Sequence, residues 1–440
     1  MAASVFDSTL YARLFSTAQV GRLFTDSAEV RAMLLVEGAL AKAQGALGVI
    51  PELSGAAIHR ASLEVQLDPG ALAAATGKNG VPIPGLVDLF RSEMQAPEHA
   101  AYVHWGATSQ DIMDTALMLR LRQALSLIEA DVRSVLKALA EHASTHAETP
   151  MPARTYGQHA TPTSWGAICA AWGAPLLNAL NELDDLRASS LFVSLSGAAG
   201  TSSALGDKAD ETRAALAQAL GLNDPHRSWH TDRTPVLRIV DWMMRVQAAL
   251  GAMGQSLVAL SASGIDEVQF SVAGGSSTMP QKSNPVAAST LVALSHQATG
   301  LRAALQSAAQ HQHQRDGAAW FTEWMVLPQL VLCAAAALTQ AKTLCANLGI
   351  NHTNMHDHLG GLGLIHAEAL SFALAAHMPR PDAQAATKAL CAQAQERGVT
   401  LGELALKAYP DLPKSIFEPA RQMGQAPNSA RAFAALVSSI

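Results

Sequence analysis

Three short polar stretches interrupt an otherwise apolar, alanine-rich sequence, and their residue types suit the handling of a carboxylate. The first is His104-Trp-Gly-Ala-Thr-Ser-Gln-Asp111. At a helix start, Thr108, Ser109 and Gln110 would offer hydroxyls, an amide and free backbone N–H groups to an anion. A well-capped helix would read the same way. The second, Arg154-Thr-Tyr-Gly-Gln-His-Ala-Thr-Pro-Thr163, sets Gln158 and His159 just ahead of a helix that carries Trp165. A lone histidine there reads equally as structural. The third, Gly274-Gly-Ser-Ser-Thr-Met-Pro-Gln-Lys-Ser-Asn-Pro285, is a glycine- and serine-rich loop with Lys282 and Asn284 between two prolines. A plain linker rarely embeds a lysine and an asparagine in that way, and loops on rigid scaffolds often carry function.

The elements that position these stretches read as helices. Leu117, Leu121, Leu125, Ile128, Val132, Val135 and Leu139 recur at steps of three and four. Ile239, Met243, Val246, Leu250, Met253, Leu257 and Leu260 form a stricter heptad seam, which predicts a helix of about 30 residues and roughly 45 Å. Similar patterns run through 165–190, 286–309 and 326–347. Several long seamed helices predict an extended bundle with apolar faces left over for partner subunits. Asp26 with Glu29 resembles a capping box. Breaks at 80–85, 266–285 and 351–363 punctuate the chain, and no repeat of 20–50 residues is visible. The expected fold is all-α, in three parts: 1–100, 101–350 with the loop 271–285, and 351–440.

At 440 residues the chain exceeds one ordinary core. Aromatics at 5% argue against a β-sandwich or barrel. A net charge of -6 gives no general attraction to nucleic acid or to an anionic membrane. An anionic substrate must then meet a local basic cluster, for which Lys282, Arg233, Arg315, His104 and His159 are candidates. Arg233 and Arg315 could equally join helices as salt-bridge partners. The four cysteines show no CxxC pairing and read as thiols in a reducing compartment. No signal peptide and no apolar run long enough to span a bilayer is expected, which points to the cytoplasm. His352 and His356 have helical i, i+4 spacing with His358 nearby, but no HExxH pattern accompanies them, so no metal is expected.

The loop matches the GSSxMPxKxNP signature of the fumarase/aspartase superfamily, and the TSQDIMDTA and GQHATPT segments resemble that superfamily's other two shared regions. The resemblance covers essentially the whole chain. Tyr102-Val-His-Trp-Gly-Ala-Thr-Ser-Gln-Asp111, Ser228-Trp-His-Thr-Asp-Arg233 and Gln314-Arg-Asp-Gly-Ala-Ala-Trp-Phe-Thr-Glu-Trp324 resemble the bacterial cycloisomerases of 3-carboxy-cis,cis-muconate. This implies a three-domain helical protomer, a homotetramer around a helix bundle, active sites drawn from three subunits, and no cofactor. It implies Ser276 as the group that moves the carbon-bound proton, with Lys282 and Asn284 on the adjacent carboxylate. His104, Thr108, Ser109, Gln110, Tyr156, Gln158, His159, Arg233 and Arg315 would bind the rest of a small polycarboxylate. Adenylosuccinate lyase relatives have histidine at Tyr156, where it protonates a leaving nitrogen. Its absence favours an intramolecular cyclisation, whose nucleophile is already ionised. The cycloisomerase relatives tend to have tryptophan there and histidine at Gln281, so this chain departs from both. A fumarate-releasing lyase is the alternative implied.

Overall fold

The computed structural model describes residues 4–272, 274–275 and 278–440. Ser276, expected to be catalytic, therefore lies outside the described residues. The framework is helical. Its longest members are α2 (Ser109–Thr145), α4 (Thr234–Leu260), α5 (Val286–Ala308) and α6 (Gly317–Ala346), with α1 (Asp26–Ala46) ahead of them and α3 (Trp165–Asn181) between. The seam read from the sequence lies along α4: Ile239, Met243, Val246, Leu250, Met253, Leu257 and Leu260 are all buried. On α2, Leu121, Leu125, Ile128, Val132, Val135 and Leu139 do the same.

The chain divides into two compact units. One comprises Met1–Asp131, Ala179–Gln247 and Leu294–Thr339. Here α1 lies against helix Glu52–Glu64 at a distance only glycine permits, since a Cβ on Gly55 would sit 2.5 Å from the Ala41 carbonyl oxygen. The α1 start corrects the expected capping box. Thr25 is the N-cap, its hydroxyl accepting from the Ala28 N–H at 3.3 Å, while Asp26 and Glu29 lie in the first turn, where negative charge complements the helix dipole.

The other unit comprises Val132–Asn178, Ala248–Ala293 and Gln340–Ile440. Three of its helices, Ala367–Ala375, Arg380–Arg397 and Leu401–Ala408, close over Leu370, Leu374, Leu390 and Leu401. It also contains strands. Pro150–Thr155 (β1) and Gln158–Ser164 (β2) form an antiparallel hairpin, so Gln158 and His159 sit on a strand and not in a helix lead-in. Val268–Phe270 (β3) pairs with Leu348–Ile350 (β4). Within the break at 351–363 lies a helix, α7 (His352–Leu359), capped by the Asn351 side chain.

One expectation about apolar runs fails. α6 is long and apolar enough to cross a membrane, with a mean hydropathy of 1.5 over its best stretch. That stretch is 61% buried within the protein, as the core helix of a bundle is.

Candidate active site

In the first unit, the polar residues gather at the α2 N-terminus. Asp111 is fully buried and organises it. Its Oδ2 accepts from the backbone N–H groups of Thr108 (3.0 Å) and Gly197 (2.9 Å). Its Oδ1 accepts from the Ser196 N–H (2.9 Å), the Ser194 hydroxyl (3.0 Å) and His230 Nε2 (2.7 Å). Burial alone would raise the Asp111 carboxyl, but His230 and the N–H donors hold it below the ordinary value. Segment 194–197 is thereby pinned to the start of α2.

Gln110 is also buried and its amide is oriented by three partners. Its NH₂ donates to Asp114 Oδ2 (3.1 Å) and to the His230 carbonyl (2.8 Å). Its oxygen must then be the acceptor for Arg315 Nε, at 2.8 Å. Gln110 was expected to touch substrate; it instead aims Arg315, whose Nη2 is buried with no partner among the described residues. The Thr108 and Ser109 hydroxyls beside it have no side-chain bond among the described residues and are half-buried.

Arg233 was expected to meet a substrate carboxylate, and the structure corrects this. It is 2% exposed, and its guanidinium donates to Asp114 (2.8 and 3.0 Å) and to Glu323 (2.9 and 2.7 Å). The group also stacks over Trp229 at 4.9 Å. With its fork occupied by internal carboxylates, Arg233 supports Asp114, and through it Gln110. Burial opposes the Arg233 charge, but Asp114 and Glu323 outweigh it and raise the guanidinium. Glu323 is raised because burial exceeds what Arg233 returns. His104, at a left-handed φ of 65°, places Nδ1 2.7 Å from the buried Glu37 carboxylate. Burial works against its charge, yet Glu37, aided by Asp111, raises it above the ordinary 6.5.

In the second unit, the β1–β2 hairpin turns through Tyr156 (φ 52°) and Gly157 (φ 75°), a two-residue turn with both residues left-handed. Tyr156 stands fully exposed at the tip, and Gln158 and His159 follow it on the exposed side. Arg154 donates to both oxygens of the buried Glu267 at 2.7 Å each, and to His159 Nε2 at 3.3 Å. His358 Nδ1 lies 2.6 Å from the same Glu267. His358 thus serves Glu267, whereas His356 is solvent-exposed; among the described residues no cluster of His, Cys, Asp or Glu is placed to hold a metal ion.

The signature loop is closed at its base by reciprocal backbone bonds between Gly274 and Asn284 (3.0 and 2.8 Å). The Asn284 amide also donates to the Gly275 carbonyl at 3.3 Å. Lys282 and Asn284 border a cavity of 770 Å³, with Asp266, Phe270 and Met279 among its other walls. That volume suits a small organic ligand.

Glu37, Asp111, Asp114, His230, Glu267 and Glu323 are the polar residues that the sequence did not single out. Their signal is faint but present: Glu37 stands inside MLLVEGALA and Glu323 inside WFTEWMVL, and a lone carboxylate in an apolar run needs a buried partner.

One unit presents half-buried hydroxyls at a helix N-terminus and an oriented arginine, and the other a lysine-bearing loop beside a cavity; each suits a small anion, and together they are the groups of an enzyme that works with side-chain acids and bases. Comparison with known proteins narrows the class. A family model described as Lyase matches residues 16–300. The 3-carboxy-cis,cis-muconate cycloisomerase of Pseudomonas aeruginosa is 37% identical, over 95% of this chain and 94% of that protein. The nitrosuccinate lyase of Streptomyces davaonensis is 34% identical, over 97% and 94%. The crystal structure of the 3-carboxy-cis,cis-muconate lactonizing enzyme from Pseudomonas putida superposes with a TM-score of 0.91 at 32% identity, covering 98% of this chain and 99% of that one. The chain belongs to the fumarase/aspartase superfamily.

Proposed function

We propose that the protein is a cycloisomerase converting 3-carboxy-cis,cis-muconate to its carboxymuconolactone, a step in bacterial protocatechuate breakdown by the β-ketoadipate route. The observation that carries this reading is the 37% identity to a cycloisomerase along 95% of the chain. In the reaction, an ionised substrate carboxylate adds across a C=C bond, making the C–O bond to one carbon while the π pair shifts to the next carbon and into the carboxylate attached there. That carboxylate passes through its aci form, and the carbon bearing it takes a proton. Ser276 delivers that proton, and Lys282 with the Asn284 amide holds the developing negative charge. Arg315, aimed by Gln110, takes a second carboxylate. The Thr108 and Ser109 hydroxyls, Gln158 and His159 supply further donors, His104 adds positive charge, and Tyr156 packs against the substrate. The reaction needs neither cofactor nor metal.

The working form in this reading is a cytoplasmic homotetramer, each site taking residues from three protomers, and the chain divides into N-terminal, central-bundle and C-terminal domains near residues 100 and 350. The exposed Tyr156, Phe321 and Met325 support it, since large apolar side chains in water favour a covering partner. Sedimentation showing a stable, active monomer would remove this part. The 34% identity to a nitrosuccinate lyase favours a second reading, elimination from a substituted succinate. One assay separates the two: purified protein given 3-carboxy-cis,cis-muconate should bleach the conjugated-diene absorbance without releasing fumarate. No bleaching, with fumarate formed from a substituted succinate, would replace the first reading with the second.

A further inference from the structure

His159 has a defined protonation pattern. A guanidinium has only N–H donors and no acceptor. The contact of Arg154 Nη2 with His159 Nε2, at 3.3 Å, therefore makes Nε2 the acceptor. A ring nitrogen that accepts carries no proton, so the neutral imidazole holds its proton on Nδ1. No partner for that Nδ1–H is found among the described residues.

The arrangement is held from behind. Arg154 cannot swing, because Glu267 takes both ends of its fork at 2.7 Å. Glu267 is itself fully buried and takes a third bond from His358 Nδ1 at 2.6 Å. Its backbone is fixed too: its N–H donates to the Leu260 carbonyl at the end of α4, and its carbonyl accepts from Asn351 at the start of α7, both at 2.9 Å. The charged or titratable groups facing His159 are thus Arg154 from β1, His358 from α7 and Glu267 from the approach to β3.

We propose that Arg154, clamped by Glu267, is a positioning residue that fixes His159 as its Nδ1–H tautomer, so that His159 meets a substrate carboxylate as a hydrogen-bond donor and not as a proton acceptor. The inference deepens the polycarboxylate reading above and rests on it for the identity of the acceptor. Burial, with the nearby Arg154 and His358, lowers His159 below the ordinary 6.5, which keeps the ring neutral at pH 7. A neutral donor binds a carboxylate without competing for the proton that Ser276 moves.

The test is nitrogen NMR on protein labelled at histidine with nitrogen-15, the His159 signals being those lost in His159→Gln. In the wild type at pH 7, Nδ1 should resonate as a protonated, pyrrole-type nitrogen and Nε2 as a bare, pyridine-type one. In Arg154→Gln the proton should move to Nε2, the commoner tautomer of a free imidazole. The same variant should raise KM for 3-carboxy-cis,cis-muconate about tenfold with a smaller change in kcat, the worth of one hydrogen bond to a charged group. If Arg154→Gln fails to fold, Glu267→Gln, which frees the arginine fork, should give the same tautomer change. A wild-type His159 protonated on Nε2 or on both nitrogens would overturn the proposal, as would an unchanged Nδ1–H signal in the folded variants. A wild type with the expected tautomer but no turnover of 3-carboxy-cis,cis-muconate would instead remove the proposed substrate and leave the positioning role standing.

Discussion

Replacing Arg233 by methionine tests whether that residue is an internal strut or a substrate ligand. Four N–H donations at 2.7–3.0 Å join it to Asp114 and Glu323, and all three side chains are at most 2% exposed. Methionine fills much of the volume and removes the cation that serves both carboxylates. Removing one partner of a buried ion pair costs about 3–5 kcal/mol. For a unit of roughly 250 residues each kcal/mol is worth about 2 °C, so the melting temperature should fall by about 6–10 °C. The pH dependence has a definite sign. Glu323 is already raised in the folded protein, and without Arg233 its folded value rises further. A carboxyl whose folded value exceeds its unfolded one favours the folded state below the unfolded value, and that advantage is lost as pH rises through the folded value. The deficit should therefore be smaller at pH 5 than at pH 8. Tryptophan fluorescence followed through thermal scans at one scan rate reads it directly, since Trp229 lies under the guanidinium. Adding Glu323→Met to the variant should recover part of the loss, because it removes one uncompensated carboxylate. A fall below about 2 °C, or an equal fall at both pH values, would refute the strut.

Ser276→Ala should lower turnover by at least about a hundredfold with the assembly intact, as expected for a general acid–base group; turnover near wild type would take Ser276 out of the chemistry. Tyr156→Phe should cost about tenfold or less, on the order of 1 kcal/mol. A loss beyond about a hundredfold, with fumarate released by the wild type, would make Tyr156 a general acid and favour the lyase. His104 should titrate above 6.5 and return toward it in Glu37→Gln, as followed by NMR. Its contribution to stability should be complete below about pH 6.5 and lost as pH rises through the raised value; a midpoint indifferent to Glu37→Gln would break the pair.

The long helices are legible because burial stamps a period on the sequence. Every residue of the Ile239–Leu260 seam is in the core. The β1–β2 hairpin is not legible for the opposite reason. Pro150, Pro152 and Pro162 interrupt it, its register slips between Pro152 and Arg154, and its face is largely polar, so no alternation survives. The site divides the same way. Residue types at 108–110, 158–159 and 282–284 announce anion chemistry locally. The roles of Arg233 and Gln110 depend on partners far along the chain: Arg233 meets Asp114 119 residues away, and Gln110 meets Arg315 205 residues away. A single sequence does not reveal which distant carboxylate an arginine will find, and so a buried strut and a substrate ligand look alike in it.

The borders between the two compact units fall inside helices: after Asp131 in α2, Asn178 in α3, Gln247 in α4, Ala293 in α5 and Thr339 in α6. None falls in a loop, where length can drift freely. Deleting one residue from the middle of α2 would turn everything beyond it on that helix by about 100° and draw it in by about 1.5 Å, exposing Val132, Val135 and Leu139. Such a gene is rigid in its reading of distance. Over these five stretches it can exchange letters but hardly gain or lose one, and a change of length is tolerated best in the connecting segments.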